Sequence, residues 1–236
     1  MRNVIARRVS EGKPNTPLFC QVHGTALKMY VHELSGLKPV EFPPRFHALL
    51  TAEGIFDGAT GILKGCFVTD AFDQKSKLLK IFPKFPEERI IVASNGVNQR
   101  LFTPTDDTLN SLITEQIPAD ADVHPAAGSA EHAAIAKCAR AVVFCGKFAN
   151  WKRLDALLYA AAAYEKTHDD VATIIIGSGP PDDVVKYRTM AATLGLTRTL
   201  FTGPQPQPLL AKFFAAANVC VFPSYAEPFG MVFIEA

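Results

Sequence analysis

Six short apolar runs constrain the fold more than anything else in this chain: residues 18–22, 65–69, 89–93, 141–145, 173–177 and 219–223. None of them alternates apolar with polar residues. Continuous apolar character suits strands covered on both faces of a parallel sheet, which have no solvent face to display. Each run ends in a polar turn and leads into a helical pattern. Over residues 154–166, Leu154, Leu157, Leu158 and Ala161 fall on one helical face. Residues 70–82 open on Thr69-Asp70, which is N-cap chemistry, and stop before Pro83. Strand and helix alternating at this spacing predict an α/β protein built on doubly wound, Rossmann-like parallel sheets.

The pattern breaks between Thr103 and Arg140, where the chain is rich in Pro, Asp, Ala and Thr. That stretch reads as a linker or surface insertion. It divides the chain into a first domain over residues 1–104, a linker over 105–138 and a second domain over 139–236. With three clear strands in the second domain, one sheet edge is expected to stand unpaired.

Composition narrows the partners. The net charge is +1, so nothing global calls for nucleic acid, and any anion site must be local. No apolar run approaches the ~18 residues that cross a bilayer. The start, MRNVIARRVSEGK, lacks the apolar core of a secretory signal. The five cysteines are odd in number and form no CxxC pair, and Cys20, Cys145 and Cys220 sit inside apolar runs. They read as small buried hydrophobes in a reducing, cytoplasmic setting, without a disulfide framework or a zinc site. His32, His47, His124, His132 and His168 have no metal spacing.

In open parallel sheets, ligands seat beyond the carboxyl ends of the strands. The residues that follow the runs are His23-Gly24-Thr25, Ser94-Asn95-Gly96-Val97, Gly146-Lys147 with Lys152 and Arg153 beyond, Ser178-Gly179, and Ser224 through Glu235. The last of these predicts a helix N-terminus at Phe229, Gly230, Met231 and Val232, flanked by the carboxylates of Glu227 and Glu235. Free backbone amides there favour phosphate oxygens, and Gly230 lets a ligand approach the backbone. Glu235 can accept hydrogen bonds from two neighbouring hydroxyls, as a ribose presents them. Glu227 lies beyond the phosphates, where a transferred sugar would be. Together these groups describe a site for a nucleotide-diphosphate sugar. Each has a plainer reading. Lys152 and Arg153 suit the solvated start of a helix, Gly177-Ser178-Gly179 suits a turn, and Trp151 suits packing. His23 serves equally well as a ligand contact or as a satisfied strand-end residue.

These residues resemble the retaining glycosyltransferases of the GT-B fold, in particular the large family 4. EPFGMVFIE, from Glu227 to Glu235, is similar to that family's Glu–x7–Glu motif after a Pro-Ser strand end. VASNGVNQRLF, VVFCGKFANWKRLDALL, IIIGSGP and LFTGPQPQPLLAKFFAAANVCVFPS resemble further family segments in the family's order, and His23-Gly24-Thr25 resembles a strand end of its first domain. The resemblance implies two Rossmann-like domains, both incomplete here relative to the family. It implies transfer of a sugar from a nucleotide-diphosphate sugar to a sugar, lipid or small-molecule acceptor, with retention and without metal or cofactor. By the same resemblance, Lys152, with Gly146 and Lys147, neutralises the donor diphosphate. Phe229 to Val232 cradle it, Glu235 holds the ribose, Glu227 meets the sugar, and His23 closes over it. Peripheral membrane contact is compatible with such a role.

Two positions depart from the family. Lys147 stands for an arginine and loses the bidentate fork, and Arg153 stands for a glycine. The incomplete domains also motivate a second reading, a non-catalytic derivative that binds a nucleotide sugar or a protein partner. A phosphorylase is a third, although EPFGMVFIEA is unlike the phosphorylase segment.

Overall fold

The computed structural model describes residues 18–22, 63–69, 75–81, 83, 85–118, 120–225, 227 and 229–236. The chain forms two compact units, Met1–Gly96 and Val97–Ala236.

In the first unit three parallel strands pair in the order β1-β2-β3: β1 is Leu18–Val22, β2 is Leu63–Val68 and β3 is Ile90–Val92. Helix α1, Ser76–Ile81, lies between β2 and β3 in sequence and buries Leu78 completely. A Cβ at Gly65, where β2 passes β1, would come within 2.9 Å of the Phe19 ring, which would have to shift to admit it. After β3, Ser94 Oγ donates to Thr69 O at 3.2 Å and ties two strand ends together. The expected N-cap at Asp70 lies outside the described residues, as does His23.

In the second unit four parallel strands pair in the order β6-β5-β4-β7. They are β4 Arg140–Cys145, β5 Val171–Ile176, β6 Thr199–Gly203 and β7 Val219–Cys220. β5 is buried along its whole length, as a continuous apolar run between two helical layers must be. One layer is α4 (Leu154–Tyr164) with α5 (Pro181–Thr193); Leu154, Leu157, Leu158, Tyr187 and Ala191 pack there on Phe144, Ile175 and Phe201. The opposite layer includes α6, Gln207–Ala216, whose Leu209, Leu210, Phe213 and Phe214 pack on Val143, Ile174 and Leu200. The unit is doubly wound.

Two expectations are corrected. Residues 105–138 are not a linker. They hold α2 (Leu109–Ser111), a π-helical turn (Leu112–Gln116) and α3 (Ala130–Ala136), and they bury Leu109, Leu112, Ile113, Ile135 and Ala136 in the core that α6 shares. Both helices start on hydroxyl caps. Thr108 and Ser111 form a reciprocal capping box, and Ser129 Oγ accepts from His132 N at 3.1 Å. The unit boundary accordingly falls at Gly96/Val97, ahead of the expected position after residue 104. The second sheet also has four strands, not three. The outer side of β6 is met by an antiparallel bridge in which His124 N donates to Phe201 O at 2.9 Å and Phe201 N to His124 O at 2.8 Å. The segment read as linker therefore covers that edge. No described helix is long and apolar enough to cross a membrane.

Candidate functional site

The winding of the second sheet decides where its ligand crevice lies. From β4 the chain steps outward through β5 to β6, then crosses to the other side of β4 as β7. The strand order reverses between β4 and β7, and the crevice beyond their carboxyl ends is the topological switch point. Two loops open there, Gly146-Lys147 after β4 and the segment from Val221 to Gly230 after β7.

Glycines shape the floor of this edge. Gly177, at φ +134°, passes so close to the β4 loop that a Cβ would fall 2.0 Å from Gly146 O. A Cβ on Gly179 would fall 2.8 Å from Phe148 O. Phe148 N donates to Ser178 O at 2.9 Å, and Gly146 N to Ile176 O at 3.0 Å. Gly177-Ser178-Gly179 is thus a close backbone contact between two strand ends as well as a turn.

Lys152 reaches the crevice from a 3-10 turn, Asn150–Lys152. The next residue, Arg153, has φ 52° and ψ 41°, both capping this turn and opening α4. A left-handed residue is what glycine does best, so the structure explains physically why a glycine suits this position. The Arg153 guanidinium pairs with Asp155 at 3.2 Å, and this engages it away from any role beside Lys152.

Lys152 Nζ lies 2.5 Å from Glu227 Oε1, and the two side chains are 18% and 16% exposed. The loops that carry them are also tied through backbone, Tyr225 N donating to Trp151 O at 3.1 Å. Trp151 itself is 39% exposed on the turn. Lys147 is exposed and makes no hydrogen bond or ion pair among the described residues. Beyond Glu227, Gly230 is left-handed, at φ 75° and ψ 54°, and begins the short helix α7, Met231–Glu235. Its Cβ position is occupied by the Phe233 ring, 2.5 Å away. Phe233 N, bonded to Gly230 O at 2.9 Å, is the first amide of this helix with an acceptor in its own turn. Met231 and Val232 amides come before it and have no intrahelical partner.

Glu235 is half-buried, and burial raises its pKa. Cys145, at the end of β4, registers the surroundings. Burial pushes its thiol up to about 11, the Glu235 charge pushes the same way, and Lys152 opposes. Glu235 and Lys152 therefore both act on the carboxyl end of β4, where Cys145 is half-buried rather than fully buried and its thiolate is disfavoured. Glu235 also borders a cleft of about 400 Å³ with Phe102, Pro104, Phe214 and Ile234, which neither Lys152 nor Glu227 lines. The concave volume and the ion pair are separate features of this unit. Among the described residues, no three His, Cys, Asp or Glu side chains group to hold a metal ion.

Across residues 130–236 the sequence matches the profile of the family Glycosyl transferases group 1. This part of the chain is a group 1 glycosyltransferase segment. The D-inositol 3-phosphate glycosyltransferase of Mycobacterium leprae (strain Br4923) is 35% identical to this chain over 172 residues, 72% of this chain and 35% of that protein. The protein of the same name from Frankia alni is 28% identical over 199 residues, 80% of this chain and 42% of that protein. Among solved structures, Anabaena Alr3699/HepE in complex with UDP and glucose superposes with TM-score 0.65 at 18% identity, covering 99% of this chain and 53% of that one. The α/β fold of GT-B type expected from the sequence is the fold observed. The chain spans about half or less of the length of these three proteins.

Of the residues singled out from sequence, the second unit gathers Gly146, Lys147, Lys152, Glu227, Phe229, Gly230, Met231, Val232 and Glu235 around the carboxyl ends of β4 and β7. Sequence reading missed Tyr225, whose amide straps the two loops, and the partner of Gly177. A glycine after a strand announced a special backbone, but not what it would touch.

Proposed function

We propose that this chain supplies the donor side of a retaining glycosyltransferase, which passes a sugar from a nucleotide-diphosphate sugar to an acceptor. The observation that carries the reading is the meeting of Lys152 and Glu227 at the switch point of a parallel sheet, beside the glycine-opened turn at Gly230. Lys152 and Lys147 take the diphosphate charge, and the amides of Met231 and Val232 add oriented donors. Glu235 accepts from the ribose hydroxyls, and Glu227 faces the transferred sugar. When the sugar–oxygen bond breaks, negative charge grows on the departing diphosphate, and the lysines stabilise it where it forms. This routes the charge to side chains of the chain, as the family resemblance implies, with no metal or cofactor assigned. The UDP and glucose bound in HepE are compatible with the reading. His23 keeps the role the resemblance implies, closing over the donor sugar, and the acceptor is a sugar, lipid or small molecule. Free thiols at Cys66, Cys138, Cys145 and Cys220 support a reducing, cytoplasmic setting.

The test is nucleotide binding. One of UDP, GDP or ADP should raise the melting temperature of the chain, and Lys152→Ala should abolish the rise. No shift with any of the three would remove the reading. In a catalytically competent protein, Lys152→Ala should lower kcat by about 10²–10³-fold, the loss that follows removal of one positioned transition-state donor. Glu235→Ala should weaken donor binding, whereas Glu227→Ala should lower turnover more than binding. A second reading is a nucleotide-sugar binder without turnover. It predicts the same melting shifts with no transfer.

A further inference from the structure

We propose that the Lys152–Glu227 ion pair is a latch displaced by the donor: in the donor-free chain Glu227 occupies the ammonium that the donor diphosphate takes, and donor binding releases Glu227 toward the sugar. This rests on the donor site proposed above and adds its regulation.

Three observations carry it. First, among the described residues this is the one ion pair whose two side chains are both under a fifth exposed. Water cannot readily replace either partner, so each charge needs a substitute when the pair opens. A diphosphate offers one to Lys152, and sugar hydroxyls offer one to Glu227. Second, the two partners are held differently. Lys152 stands on a turn closed by Lys152 N–Ala149 O at 2.9 Å and Arg153 N–Asn150 O at 3.2 Å, next to the constrained backbone of Arg153. Glu227 stands in irregular chain ahead of Gly230. The carboxylate is the side that moves. Third, the pair is too close to be shared without cost. A phosphate oxygen hydrogen-bonded to the same ammonium would fall about 4–5 Å from Glu227 Oε1, where two negative charges repel strongly in a poorly hydrated site. The Tyr225–Trp151 backbone bond keeps the loops in register while the side chain swings.

Titration calorimetry of the 236-residue chain with UDP, GDP and ADP tests this, using the wild type, Glu227→Gln and Lys152→Met. The latch predicts that Glu227→Gln binds the preferred nucleoside diphosphate about 5–10-fold more tightly, because the competitor has lost its charge. Lys152→Met should bind it at least ~30-fold more weakly. Wild-type binding with unchanged or weakened affinity in Glu227→Gln would overturn the latch and leave the donor site standing. No wild-type binding of any of the three would overturn both. Circular dichroism checks that each variant is folded. A crystal structure with the preferred nucleotide gives an independent reading that needs no variant. Separation of Lys152 Nζ and Glu227 Oε1 beyond 4 Å supports the latch; an intact pair with phosphate on Lys152 overturns it.

Discussion

The two ends of the four-stranded sheet are built on opposite principles. At the amino end, side chains brace every strand start. Arg140 pairs with Asp170 at 2.5 Å, and Asn218 Oδ1 accepts from Ala141 N at 2.8 Å. Glu165 accepts from Thr197 N, Arg198 N and Thr199 Oγ1 at 3.0–3.3 Å, and Arg198 Nη2 donates to Glu165 O and His168 O. At the carboxyl end, glycines let backbones touch, two helical amides are free within their own helix, and the ion pair joins the loops that follow β4 and β7. One end has most of its polar groups consumed by the fold, Arg198 Nε being an exception. The other leaves the Lys147 ammonium without a hydrogen bond or ion pair among the described residues. The contrast predicts that substitutions at the two ends separate stability from binding.

The sharpest break should come at Gly177. Alanine there would place a Cβ against the Gly146 carbonyl, where no flexible side chain can give way, and at a φ that L residues avoid. Gly177→Ala should destabilise the second unit by about 3 kcal/mol or more, measured by urea unfolding. A loss under about 1 kcal/mol would show that this contact is not required. Next in size is Glu165→Ala, which leaves three donors without their acceptor. It should cost about 2 kcal/mol, since part of that cluster can turn to water, and leave nucleotide affinity unchanged. A fall in affinity would erase the distinction between the two ends.

Glu235 sharpens the comparison through pH. Its pKa is raised in the folded chain by burial, so the folded state holds the proton more tightly than the unfolded one. Between the ordinary value of 4.5 and the raised one, unfolding releases protons, and stability falls as pH rises. Glu235→Gln should flatten this fall in acid-range unfolding curves. A bound nucleotide whose hydroxyls donate to the carboxylate favours its charged form. Affinity should therefore weaken as pH drops through the same window, an effect Glu235→Gln would remove.

The sequence made the parallel-sheet architecture legible because buried parallel strands are continuous apolar runs. It did not reveal β6, where Thr199 and Thr202 interrupt the apolar run. Both are buried because Glu165 and backbone carbonyls satisfy their hydroxyls, a solution visible only in three dimensions. The helices at 109–116 and 130–136 were hidden by polar flanks, because the few apolar positions that pack, such as Leu112 and Ile135, are too sparse to show a period. Within the site, individual residues were legible as strand-end chemistry. Their pairing was not, because Lys152 and Glu227 are 75 residues apart and meet only when β7 crosses to the far side of β4.

The smallest expected effect tests the carboxyl end from the stabilising side. Arg153 holds a left-handed backbone that costs a non-glycine residue about 1 kcal/mol. Its pair with Asp155 is nearly half exposed on the arginine side and returns little. Glycine would relieve the backbone cost but gain unfolded-state entropy. Arg153→Gly should therefore be neutral to about 0.5 kcal/mol stabilising, the reverse of what glycine does in most turns entering a helix. If the turn at Asn150–Lys152 also owes its shape to hydrogen bonds and not to the arginine side chain, nucleotide affinity should not change. Destabilisation by more than about 1 kcal/mol, read from the same urea curves, would mean that Arg153 braces Lys152 through its side chain. The carboxyl end would then rely on side-chain bracing as the amino end does.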